Sequence, residues 1–142
     1  MDIKVNGVNI TLTKDQLKEI DRQVKGIRTI SDIVDYQSAL EILGEDRDYS
    51  SKISPLHKLL TMIRAANYLD NGKKPWKADF TQQSVAKFIV YLERKHSGWV
   101  AISVGGCDCA SLCPVGFYFK ERATAEHFMK EHLNLYNEVW EG

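Results

Sequence analysis

The strongest constraint on the fold lies in the last third of the chain. "VAKFIVYLER" (85–94) and "WVAISV" (99–104) are rich in β-branched and aromatic residues, and His96-Ser97-Gly98 stands between them. Such runs joined by a short polar turn predict an antiparallel hairpin. A loop of three or four residues would leave opposite faces pointing inward, so the register stays open. "VGFYF" (115–119) reads as a third strand. In the following "KERATAEHFMKEHLNLYNEVW", Ala125, Phe128, Met129, His132, Leu135, Tyr136 and Val139 form one apolar face of a long helix. A sheet with one apolar face and a helix with one apolar stripe bury each other. The expected fold class is α+β, with an N-terminal β-hairpin and helices and a C-terminal antiparallel sheet packed by a long C-terminal helix.

The opening segment carries its own signals. Asn6-Gly7 separates "IKV" from "VNITL", and both residues tolerate the positive φ of a type I′ turn. Thr13 followed by Gln16 makes a capping box. Leu17, Ile20, Val24 and Ile27 then recur at helical spacing until Gly26 interrupts them. Asp35 is the expected cap of a second, short helix that Gly44 stops. Ser54-Pro55 opens a third, with Leu56, Leu59, Met62, Ile63, Ala66 and Leu69 as its stripe and Asn71-Gly72 as its end. His57, Thr61, Arg64 and Tyr68 share another face, either solvated or lining a pocket. At 142 residues the chain suits one α+β domain, 1–142, with a subdivision into a hairpin–helix module, 1–44, and a helix–sheet–helix core, 54–142.

Nineteen basic and nineteen acidic side chains cancel, so the chain is no polyelectrolyte. Residues 52–100 nevertheless carry a net +6, against −3 on either side. Within that segment Lys73, Lys74 and Lys77 surround Trp76, the combination that grips phosphate and stacks a base. The competing reading has Trp76 plugging the edge of the core while the lysines keep the loop soluble. The acidic run Glu45-Asp46-Arg47-Asp48 lacks the spacing and central glycine of a calcium loop and reads as a solvated connection. No signal peptide and no apolar run long enough to span a membrane is visible, and a cytoplasmic protein with reduced thiols is expected.

All three cysteines fall in "GGCDCASLCPVG" (105–116). Cys107, Cys109 and Cys113 leave a zinc tetrahedron one ligand short. His96 is the first candidate for the fourth ligand, because its turn could approach a sheet edge. His127 and His132, five apart on one helix, would diverge by about 140°. The favoured reading is structural, with Leu112 and a cysteine tucked under the sheet. No cofactor is expected. Signature motifs of hydrolases, zinc proteases and nucleotide-binding folds are missing, so the chain reads as non-enzymatic.

The blocks "VNGVNITLTKDQLKEI", "HKLLTMIRAANYLDNGKKPWKADF" and "GFYFKERATAEHFMKEHLNLYNEVW" resemble a group of small proteins carried by phages and mobile elements of gut anaerobes. Ala66, Asn67, Gly72, Pro75, Asp79 and Phe80 echo that group's "ALN-x-G-W-x-P-D-F", with Trp76 after the proline rather than before it. Phe119, Lys120, Ala125 and Glu126 match its strand-to-helix junction, where Glu121 replaces the usual serine cap. The resemblance implies an accessory protein of a mobile element that binds a host protein, with inhibition of a defence system as one such role. A nucleic-acid or nucleotide binder using Lys73, Lys74, Trp76 and Lys77 is the alternative. A zinc module at Cys107, Cys109 and Cys113 is a more distant one.

Overall fold

The chain opens on a two-stranded antiparallel ribbon, β1 (Asp2–Val5) and β2 (Val8–Thr11). The computed structural model describes residues 2–26, 28–82, 85–107 and 115–141. Asn6 (φ 50°) and Gly7 (φ 81°) form the two-residue turn, both with the positive φ that a type I′ geometry demands. Thr13 then caps α1 (Lys14–Lys25) reciprocally. Its hydroxyl accepts from the Gln16 N–H at 3.2 Å, and its own N–H donates to the Gln16 side chain at 2.9 Å. The hairpin, the capping box and the helix stand where the sequence placed them.

The next two helices are also bounded by local chemistry. Asp35 accepts from the Ser38 N–H at 2.8 Å and opens α2 (Tyr36–Ile42). Ser54 accepts from the His57 N–H at 3.1 Å and, with Pro55, opens α3 (Pro55–Asp70). Both helices end in the same glycine motif. After α2 the N–H groups of Gly44 and Glu45 return to Glu41 and Leu40; after α3 those of Gly72 and Lys73 return to Leu69 and Tyr68. Glycine fits because the residue after each cap has φ near 70°.

The C-terminal sheet pairs β3 (Lys87–Lys95) with β4 (Gly98–Cys107), antiparallel. The turn is His96-Ser97 alone, shorter than either loop length expected, with Gly98 at φ 115°. A bulge between Tyr91 and Leu92 resets the register halfway along. Gly105 is required by close approach, since a Cβ there would fall 2.0 Å from the Tyr91 ring.

Two expectations need correction here. Residues 115–119 do not make a full third strand. Val115–Phe117 is a short 3-10 turn, and only Phe119 bridges the sheet, exchanging two backbone hydrogen bonds with Phe88. The other edge of this segment is held by α3. The buried Asn67 amide donates to the Tyr118 carbonyl and accepts from the Lys120 N–H, both at 2.9 Å. A side chain thus takes the place of a neighbouring strand. The long C-terminal helix is instead two, α4 (Arg122–Glu131) and α5 (Leu133–Glu141), broken at His132. No proline or glycine marks the break. It redirects α5 so that it packs on both α3 and β4, with Tyr136 buried and the Asn137 side chain accepting from the Trp99 N–H at 2.8 Å.

The fold is α+β. Leu59, Met62, Ile63 and Ala66 of α3 share one core cluster with Ile33, Ala39, Ile89, Phe119, Phe128 and Tyr136. α2 packs on α3, and α4 and α5 cover the β3–β4 sheet. No helix among the described residues is long and apolar enough to cross a membrane.

Candidate functional site

Two features stand outside this core. The first is the β1–β2 ribbon. Its register pairs Ile3 with Ile10 and Val5 with Val8, so all four side chains share one face; Asp2, Lys4, Asn9 and Thr11 share the other. Ribbons normally bury such a face, yet Val5 is 45%, Val8 61% and Ile10 39% exposed. Neither the ribbon nor α1 packs broadly on the rest of the described chain, and Ile20 of α1 is exposed as well.

The second is a cleft of about 510 Å³ beside α3. His57, Leu60, Thr61, Ile63, Arg64 and Asn67 line it from α3, and Trp76, Lys77, Ala78, Gly116 and Tyr118 complete its walls. Spacings of four and three bring His57, Thr61 and Arg64 to one side, so this part was legible in the sequence. Tyr68, on the expected face, is not among the lining residues. Trp76 packs against the edge of the core while also facing the cleft.

A hydrogen-bond chain runs from the cleft's rim to the 45–53 loop. The buried Tyr36 hydroxyl donates to Asp48 at 2.9 Å and lies 3.2 Å from His57 Nε2. Hydrogen bonds from Ser50, and then that from Tyr36, hold the Asp48 carboxyl below its ordinary range; burial, and then Asp48, push the Tyr36 hydroxyl up. An ionised carboxylate only accepts, so Tyr36 must donate to it and accept from His57. His57 Nε2 therefore carries the proton that it donates to Tyr36. Gln37 pins the same loop, donating to the Asp48 carbonyl at 2.6 Å and accepting from its N–H at 3.2 Å. The loop read as a solvated connection is tied down at Asp48. Sequence reasoning missed Tyr36, Gln37 and Asp48, because no local spacing signals contacts across eleven to twenty-one residues.

The four residues proposed for nucleic acid do not form one strip. Trp76 and Lys77 line the cleft. Lys73 and Lys74 are exposed outside its lining, with the Lys73 ammonium 3.4 Å from the Gly26 carbonyl. Of the proposed metal ligands, Cys109 and Cys113 lie outside the described residues. Cys107 ends β4 and pairs with Lys87, whereas His96 sits in the turn at the other end of the hairpin. Nine residues of strand separate Gly98 from Cys107, roughly 30 Å. That distance removes His96 from any coordination sphere containing Cys107. The divergence expected for His127 and His132 is overturned too. With the helix broken at His132, their rings lie 5.9 Å apart, edge to face. No group of three or more metal-binding side chains occurs among the described residues.

Lys87 is buried (1% exposed), donating to the Gln82 carbonyl at 2.9 Å and sitting over the Phe80 ring at 5.4 Å. Its partners account for it as a core cation. No protein-family model, no curated protein and no solved structure matches this chain.

Proposed function

We propose that the protein is a non-enzymatic binding module that acts through a protein partner, seated on the apolar face of the β1–β2 ribbon. The observation that carries this reading is the exposure of Val5, Val8 and Ile10 on one face of a well-formed ribbon. A lone two-stranded ribbon is marginal in water, and three or more strands or a packed helix are needed to stabilise it. An exposed apolar face beside strand edges that no other described strand pairs is the geometry of a surface that pairs with another chain. The resemblance to accessory proteins of mobile elements supports a host protein as that partner, with components of a defence system the first class to test.

The test is capture from host lysate by wild type, by Val8→Lys and Ile10→Lys, and by Asn9→Lys on the polar face. A partner held by wild type and Asn9→Lys, and lost from the two apolar-face variants with unchanged melting midpoints, is the expected result. Equal capture by all four proteins would overturn the reading.

A further inference from the structure

We propose that the cleft beside α3 binds an aromatic phosphate of about nucleoside monophosphate size, its ring against Trp76 and its phosphate held by Lys77 and Arg64. This is independent of the protein-partner reading, since the ribbon contributes nothing to the cleft.

Three observations lead there. The first is charge. The lining includes Arg64 and Lys77 and no carboxylate. Arg64 is held at the rim by a two-pronged ion pair with Glu45 (2.8 and 3.0 Å), which itself lies outside the lining. Lys77 has no ion pair and no hydrogen bond among the described residues. A pre-positioned guanidinium beside an unpaired ammonium suits a group able to accept from both.

The second is the aromatic wall. Trp76 is half-buried against the core and has no ring or cation partner among the described residues. Its indole therefore faces the cleft without an occupant for its π surface, and stacking on it is tolerant of ring identity. The third is Thr61. It is only 3% exposed, lines the cleft, and its hydroxyl makes no hydrogen bond to any described residue. The oxygen itself is not sealed from solvent, so it is open to bond an occupant of the cleft. The volume of about 510 Å³ falls within the range of small-molecule sites, and apolar walls with a few convergent polar groups are their usual make-up.

The experiment titrates the full chain with AMP and with 1-naphthyl phosphate, with adenosine and inorganic phosphate as half-ligands. The readout is the tryptophan indole N–H signals by NMR. The expected result is a saturable shift of the Trp76 signal with at least one aromatic phosphate, and binding about tenfold weaker for either half-ligand. Lys77→Gln and Arg64→Gln should each weaken binding about tenfold, the ratio for losing a charge-assisted hydrogen bond. Both side chains are exposed, so these variants should fold. Thr61→Val keeps the shape and removes the hydroxyl; it should weaken binding while leaving the melting midpoint equal or higher. No shift with either aromatic phosphate would overturn the proposal. So would equal binding of inorganic phosphate or of adenosine, or affinities unchanged in both charge variants.

Discussion

At the scale of single residues, Asn67 shows how one side chain can replace an element. Its amide satisfies the Tyr118 carbonyl and the Lys120 N–H in a buried setting. Truncation would strand both backbone groups, each costing about 1–3 kcal/mol. Asn67→Ala should therefore lower stability by about 2–4 kcal/mol in urea unfolding, whereas exposed substitutions usually stay within about 0.5 kcal/mol. His132 gives a pH dependence. Burial, and then His127, pull its pKa below the ordinary 6.5, and its Nε2 is buried without a partner. The Ile33 carbonyl and Glu131 oppose that shift only in part. With the folded value depressed, the unfolded chain takes up the proton first. The contribution is fully present above 6.5 and is lost as pH falls through the folded value. Melting midpoints measured on both sides of 6.5 should drop on acidification, and less so in His132→Gln. Parallel pH profiles for the two proteins would rule His132 out.

At the scale of elements, the ribbon and the C-terminal helices behave differently. Gly7 sits at φ 81° with open space around it, so a substitution there costs only backbone strain. Gly7→Val should abolish the cross-strand contacts between Ile3 and Ile10 seen by NMR. Because the ribbon packs little on the core, the global unfolding midpoint should barely move. A large global loss would show that the ribbon is part of the cooperative unit. Phe128 in α4 is the opposite case: fully buried, its ring 4.9 Å from that of Phe119 and 4.7 Å from that of His132. Phe128→Ala should cost about 3–5 kcal/mol. An unchanged denaturant midpoint would contradict the packing of α4 on the sheet.

At the scale of the whole molecule, the core is built from α2, α3, the sheet and α4–α5. Chelator should leave the melting midpoint unchanged, and elemental analysis should find no stoichiometric zinc. Near one zinc per chain, with a large loss of stability on chelation, would make Cys107, Cys109 and Cys113 ligands after all, and the fourth would have to come from somewhere other than His96. The two binding surfaces lie on different parts of the molecule. The ribbon carries the exposed apolar face, and the cleft gathers side chains from α3, the 76–78 segment and the 116–118 segment.

The local elements were written in local chemistry. Asn6-Gly7 sets the hairpin, Thr13 with Gln16 starts α1, and Asp35, Ser54, Gly44 and Gly72 bound α2 and α3. Each signal acts within four or five residues, through a cap or a positive φ, so the sequence alone determined it. The apolar face of the last twenty residues likewise announced a helix on a sheet. What depended on distant contacts was not legible. Asn67 meets Tyr118 and Lys120 fifty-odd residues away and holds the edge of the 115–119 segment facing away from Phe88. Packing of α5 on α3 and β4 accompanies the break at His132, and the length of the hairpin put His96 out of reach of Cys107. Of the cleft, the face of His57, Thr61 and Arg64 follows from helical periodicity. Its far wall, Trp76 and Tyr118, and the Tyr36–Asp48 link behind His57 exist only once the chain has closed on itself, because periodicity fixes which side chains share a face but not what that face meets.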